Sequence, residues 1–331
     1  MNPHIDVVAT TISGSIKDWG KVKRIVPLFS EHGMTDVNLC TADSHAEARR
    51  KTAELVVAGG RIIISAGGSG TFNAVLEGCF DSGCDLKDVR IGFLRKGSAD
   101  LIGKTLGMPD EIEAAIDVFA KAIREDRLVP CDVLLASDSG GITKPRRFVG
   151  YGGAEIFGRI PHFTENRFIK YYKGVLSQLF GDLGPFFVGT SLATTDKLIR
   201  TVGRKKRQWS ITVDGREVAC GKFNAIIIVN GYLGPDLPFA KGEPLGSGKF
   251  YVFTIADRGA FRLARQLKYA WDGSIMNDPE KWGFGSYTVG TKLQLQPLDG
   301  GEFPINTDGS TMFCHGGVEV TICNRVHLLS S

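Results

Sequence analysis

The chain has 331 residues, 43% of them apolar and 23% charged, with a net charge of +4 at neutral pH. That length favours two domains over one core, and so mild a charge excess gives no reason to invoke nucleic acid. No stretch reaches membrane-span length, and Met1-Asn-Pro-His-Ile-Asp6 lacks the basic start and apolar core of a secretory signal, so a cytoplasmic protein is expected.

Ile5 to Thr10 reads as a strand, and Trp19, Val22, Ile25, Val26 and Phe29 recur behind it at helical spacing. Val37 to Cys40 is a second strand. Ser44-His-Ala-Glu47 has the form of a capping box, so a helix is expected to about Ala58, stopped by Gly59-Gly60. Ile62 to Ala66 is an unbroken apolar run, as in a strand buried on both faces. Phe72, Val75, Leu76, Cys79 and Phe80 form the next helical stripe, and Val89 to Leu94 the next strand. Ile112, Ala115, Ile116, Phe119, Ala120 and Ile123 form another helix, opened by Pro109 and Asp110. Leu128 to Ala136 closes the series. This alternation predicts an α/β domain over residues 1–135, a parallel sheet with helices on both faces.

From about Asp138 short strands dominate: Phe148 to Tyr151, Phe186 to Gly189, Trp209 to Val213, Ala225 to Val229, Phe250 to Ile255, Leu293 to Gln296 and Val318 to Ile322. Helical signals persist near residues 165–180 and 258–271. A β-rich, sandwich-like second domain is expected over 136–321, with the last residues, about 322–331, packing back on the first.

The candidate chemistry starts at Gly67-Gly68-Ser69-Gly70-Thr71, directly behind a strand and before a helix. Glycines there let backbone N–H groups approach an anion, and the helix aims its positive end at the same point. Gly97-Ser-Ala-Asp-Leu-Ile-Gly-Lys-Thr105 looks like a P-loop but has five residues where that loop needs four, so it is set aside. Seven scattered cysteines without a CxxC pair read as reduced thiols, and six histidines without paired spacing give no zinc site.

Taken together, GGSGTFNAVLEG (67–78), Ile-Gly-Phe-Leu-Arg-Lys-Gly-Ser-Ala-Asp (91–100) and Leu-Gly-Met-Pro (106–109) resemble the diacylglycerol kinase catalytic family. That family includes sphingosine and ceramide kinases and is distantly similar to NAD kinases. The resemblance extends to Ser13-Gly14, Asn230-Gly231 and Asp308-Gly309. It implies an α/β nucleotide-binding domain followed by a β-sandwich-like domain, with ATP in the cleft. It further implies that Gly67, Gly68, Ser69, Gly70, Thr71 and Asn73 hold phosphates, with Thr41 and Ser98 also contacting the nucleotide. Asp100 and Asp132 correspond to acids that organise a metal-and-water network in bacterial members, and both are expected near Asp308.

Three family acids are replaced. Ser69 stands for the aspartate of GGDGT, Ser310 for the proton-accepting glutamate of DGE, and Ser247 for a magnesium-binding aspartate. A serine hydroxyl is a poor base and a weak magnesium ligand. Arg95-Lys96 adds two cations that could meet phosphate without a metal, or point to solvent. Ala74 replaces a family glutamate while Glu77 follows three residues on, so the acid could have moved along the helix, with Asp236 as another candidate. The basic run Lys197 to Arg207 could touch an anionic membrane or be a solvated turn. Phe163, Phe168, Tyr171, Tyr172, Leu176, Leu179 and Phe180 could line an acyl pocket or simply face a core.

The resemblance therefore implies an ATP-dependent lipid kinase with a remodelled catalytic site. Its acceptor would be a small molecule or lipid, and its magnesium ligands are largely replaced. The rival is a catalytically impaired relative that binds nucleotide or phospholipid as a regulator. An NAD-kinase-like activity stands further off.

Overall fold

The computed structural model describes residues 3–11, 19–95, 101–159 and 207–331. The expected Ser13-Gly14 turn, the strand Phe186 to Gly189, the aromatic helix near 165–180 and nearly all of the Lys197 to Arg207 run lie outside those residues. The chain forms two compact units, one of Met1–Cys131 with Arg325–Ser331, the other of Asp132–Asn324.

In the first unit, β1 (Ile5–Thr10), β2 (Val37–Ala42), β3 (Ile62–Gly67) and β4 (Arg90–Arg95) pair in parallel in the order β2-β1-β3-β4. The helices are α1 (Trp19–Glu31), α2 (His45–Val57), α3 (Ser69–Asp81), α4 (Leu101–Thr105) and α5 (Ile112–Glu125). Successive residues of β4 show the two covered faces. Phe93 lies against Phe72 of α3, ring centroids 4.8 Å apart, while a β-carbon at Gly92 would fall 2.7 Å from the Phe119 ring of α5. Helices on both sides explain why β1 and β3 are buried at every position.

Ser44 caps α2 as its sequence indicates, its Oγ accepting from the Glu47 amide at 3.0 Å. The opening of α5 differs from expectation. Glu111 is its N-cap, and Pro109 and Asp110 precede the helix because Asp110 pairs instead with Arg95, 3.0 Å away.

The remaining strands are β5 (Leu128–Asp138), β6 (Arg146–Phe148), β7 (Tyr151–Glu155), β8 (Trp209–Val213), β9 (Arg216–Gly221), β10 (Phe223–Val229), β11 (Phe250–Ala256), β12 (Phe284–Val289), β13 (Lys292–Pro297), β14 (Phe303–Thr307), β15 (Ser310–Cys314) and β16 (Val318–Leu329). Two helices, α6 (Ala260–Trp271) and the short α7 (Pro279–Trp282), lie between β11 and β12. In the second unit one antiparallel sheet runs β12-β11-β10-β7-β14-β15, while β16, β13, β8 and β9 make another antiparallel run. Trp209, Ile211, Leu293 and Val320 of the second run share one core with Ile226, Phe250, Phe303 and Ile305 of the first. Two sheets enclosing one apolar core make a sandwich. The far end of β16 belongs to the first unit, where His327 and Leu328 pair in parallel with Arg90 and Ile91 of β4.

The strand expected from Phe148 to Tyr151 is broken between β6 and β7. Its amides at Val149, Gly150 and Tyr151 turn to the Asp308 carboxylate instead of to a neighbouring strand. Strands β9, β12, β14 and β15 carry no strong sequence signal. The first, second and fourth are outermost in their sheets, so each needs fewer apolar residues.

Candidate functional site

Parallel pairing puts the carboxyl ends of β1 to β4 along one edge of the sheet. From β1 the chain moves to β2 on one side, while β3 and β4 lie on the other. Such a switch of direction opens a crevice at the carboxyl edge. The Thr10 hydroxyl at the end of β1 and the Thr71 hydroxyl of α3 meet there at 2.6 Å, both buried, and fix the glycine turn to β1.

Gly68 is the N-cap of α3, extended at φ −88° and ψ −174°, with no side chain to cap the helix. Its carbonyl accepts from the Thr71 and Phe72 amides. Among the described residues no acceptor faces the Ser69 or Gly70 amide, so the two first N–H groups of the helix point outward from a half-exposed turn. Among the described residues a β-carbon at Gly68 would meet nothing within 4 Å. Such open space beside helix-start amides leaves room for an anion to approach the backbone.

Gly70 is different, because a β-carbon there would come within 2.7 Å of the His45 imidazole. His45, the first residue of α2, thus stands beside the phosphate-type turn. The sequence reading passed over it as the interior of a capping box. The available signal was positional: α2 starts at the carboxyl end of β2, on the same edge as the glycine turn.

Several candidate residues have partners within the chain. Thr71 bonds Thr10 through its hydroxyl. Arg95 is buried, and its Nη1 donates to Met108 O at 2.9 Å besides pairing with Asp110, as a buried guanidinium must be paired. Thr41 is exposed at the end of β2, and its carbonyl accepts from Lys51 Nζ at 2.7 Å. Asn73 is half-buried on the second turn of α3. Lys96, Ser98 and Asp100 lie outside the described residues. The suggested relocation of an acid to Glu77 is corrected: Glu77 is buried against α2, with its carboxylate 3.5 Å from Arg49, which also binds Asp81.

The second unit gathers the other candidates. Asn230 donates from Nδ2 to the carbonyls of Asp132 and Val149, at 2.6 and 2.8 Å. The Asp132 carboxylate accepts from the Gly248 amide at 2.6 Å, next to Ser247, whose hydroxyl is held by Lys249. Asp308 and Gly309 form the tight turn between β14 and β15, both with positive φ, as a type I′ hairpin requires. The Asp308 carboxylate is 2% exposed and accepts from the amides of Val149, Gly150 and Tyr151. Asp308 and Asp132 are thus joined through Asn230 and Val149. Burial raises the Asp308 carboxyl to about 6 despite those three donors. Its oxygens face backbone, so its evident action is to position the chain at β7 rather than to contact a ligand. Ser310 is half-buried at the start of β15, its carbonyl 3.5 Å from the Thr307 hydroxyl.

Ser69, Ser247 and Ser310 supply no carboxylate, and no group of three His, Cys, Asp or Glu among the described residues could hold a metal ion. A phosphate fits the two outward amides of α3. In the second unit, Ile156, Phe157, Ile227, Leu237, Phe239 and Trp271 line a partly open apolar recess, with Asp236 on its wall.

An α/β unit with a mostly parallel sheet and an antiparallel β-sandwich are therefore the two parts of this chain. Residues 4–133 match the diacylglycerol kinase catalytic domain. A solved structure of a Bacillus anthracis strain Sterne protein, described as a candidate diacylglycerol kinase, is similar over 99% of this chain and 95% of its own. Its TM-score is 0.68 and its identity 17%. A diacylglycerol kinase from the same strain gives a TM-score of 0.63 at 14% identity, over 99% and 97% of the two chains. At such identities the likeness is one of fold. No curated protein matches the chain in sequence.

Proposed function

We propose that the protein is an ATP-dependent lipid-kinase-like phosphotransferase with a remodelled catalytic site, acting on a lipid hydroxyl of diacylglycerol or sphingoid type. The observation that carries this reading is the open N-terminus of α3 behind β3, in the segment that matches the kinase catalytic domain. In it the Ser69 and Gly70 amides hold phosphate oxygens, the Thr10–Thr71 bond keeps the turn rigid, and His45 flanks the bound anion. The bound nucleotide supplies the phosphoryl group. The apolar recess of the second unit offers a surface for acyl chains.

No step through magnesium is assigned. A missing general base typically slows such chemistry about 10²–10⁴-fold, so phosphate binding and slow turnover can coexist. One observation favours a second reading, an impaired nucleotide- or phospholipid-binding regulator. Serines stand at three positions where the family has acids, and Asp308 is bound to backbone. ADP formation and lipid phosphorylation across glycerolipids and sphingoid bases, with and without magnesium, separate the two. Slow turnover supports the kinase reading, and ATP binding without turnover supports the regulator. If ATP, ADP, NAD and polyphosphate all leave the melting temperature unchanged, the phosphate turn itself is excluded as a site.

A further inference from the structure

Residues 258–271 contain four cations, Arg258, Arg262, Arg265 and Lys268, and no acid. At 3.6 residues per turn, Arg262, Arg265, Lys268 and Tyr269 occupy an arc of about 120° on α6. The opposite arc faces the interior of its unit. Leu263 packs with Ile156. Gln266, wholly buried, accepts from Asn224 and donates to the carbonyls of Ala256 and Trp282. Those amide bonds fix the roll of the helix, so its basic arc stays outward.

All four cations are exposed, and among the described residues none forms a close ion pair with an acid, though Lys268 and Asp272 attract each other at longer range. Elsewhere cations are paired: Arg24 with Glu113, Arg50 with Glu54, Lys121 with Asp117 and Arg90 with Asp126. The acids nearest α6 are engaged locally. Asp257 accepts from the Gly259 amide, Asp272 from the Ser274 amide and hydroxyl, and Asp278 caps α7 with Lys281 at 3.8 Å. Beside the arc, the rings of Tyr269 and Trp282 lie 4.7 Å apart, with Lys281 Nζ 5.4 Å from the Trp282 centroid. The inner side of the same helix, through Leu267, Ala270 and Trp271, forms part of the wall of the apolar recess.

We infer that the outer face of α6 is a docking surface for an anionic lipid bilayer. Unpaired cations complement anionic headgroups, and Tyr and Trp settle at the boundary between headgroups and acyl chains. A nucleic acid would use the cations but neither the rings nor the adjoining apolar recess. Its action does not depend on phosphotransfer.

The test is co-sedimentation of the full chain with phosphatidylcholine vesicles, with or without phosphatidylserine. Each cation near the surface contributes roughly fivefold in partitioning, so the triple variant Arg262→Gln, Arg265→Gln, Lys268→Gln should bind phosphatidylserine vesicles about 100-fold more weakly. Its salt dependence should flatten as well. A control of equal charge loss, Lys23→Gln, Lys144→Gln, Lys222→Gln, should retain binding, and both variants should melt like the parent because every site is exposed. Equal loss in the control, equal binding to neutral vesicles, or tighter binding of the parent to duplex DNA than to phosphatidylserine would overturn the inference.

Discussion

Replacing Asp308 with alanine separates a positioning role from a ligand contact. The substitution leaves the Val149, Gly150 and Tyr151 amides without their acceptor. Hydrogen bonds to a charged group contribute about 2 kcal/mol each, so the loss approaches 6 kcal/mol. Removing the buried charge returns part of this. The carboxyl is raised from 3.8 to about 6 even with those three donors in place, so burying the charge is itself costly. Alanine in the left-handed conformation, φ 47° here, adds about 1 kcal/mol of strain. Three amides left unpaired, at about 1–3 kcal/mol each, outweigh that relief, so a destabilisation of a few kcal/mol is expected, a large share of the ~5–15 kcal/mol typical of a domain. Urea unfolding at pH 7 measures it.

The pH dependence has a definite sign. A carboxyl with a raised pKa binds its proton more readily in the folded state, so its contribution is full below the unfolded pKa near 3.8 and declines as pH rises through about 6. Asp308→Asn keeps a turn-compatible residue and should remove that decline. If Asp308→Ala unfolds at the parent's urea concentration while phosphotransfer disappears, the positioning role is wrong and the carboxylate touches a ligand.

Other expectations are as direct. At Gly78 a β-carbon would strike the Arg49 carbonyl and come within 2.7 Å of Thr52 Cβ, so Gly78→Ala should cost about 1–2 kcal/mol in urea unfolding despite alanine's better helix propensity. Equal or greater stability would show that α2 and α3 can part freely. Ser69→Asp alone should weaken ATP binding without magnesium, by calorimetry, because a carboxylate would then face phosphate at the helix start. Restoring acids together as Ser69→Asp, Ser247→Asp and Ser310→Glu should raise magnesium-dependent phosphotransfer, whereas single changes do little because such groups act as a unit. His45→Ala should lower ATP affinity several-fold with little change in melting temperature, since the ring is exposed. An unaltered affinity would remove His45 from the site.

What could be read in advance follows the range of the interactions involved. The unbroken apolar runs of β1 and β3 reveal themselves because both faces are covered, and the Ser44 cap is decided within four residues. The phosphate-type turn is visible because glycine, strand and helix adjoin in sequence. Roles set by distant partners were not legible. Nothing near Arg95 indicates that it holds Met108 O, nothing near Glu77 indicates Arg49, and Asp308 interrupts a strand 158 residues away. His45 escaped for a related reason: its neighbour Gly70 is close only after β2 and β3 have taken their places around β1.

The pairing of β16 with β4 has a consequence for biogenesis. His327 Nδ1 lies 3.1 Å from the Lys87 carbonyl, 240 residues earlier in the chain. On a ribosome, β1 to β4 can emerge and associate, but the outer edge of β4 has no partner until residues 325–331 leave the exit tunnel. Until then the nascent unit carries an open strand edge that includes Ile91 and Phe93, a template for pairing with another chain. Synthesis of the whole second unit therefore sets a waiting time during which the first is sticky. A pause placed late in the message would lengthen that exposure far more than one placed early.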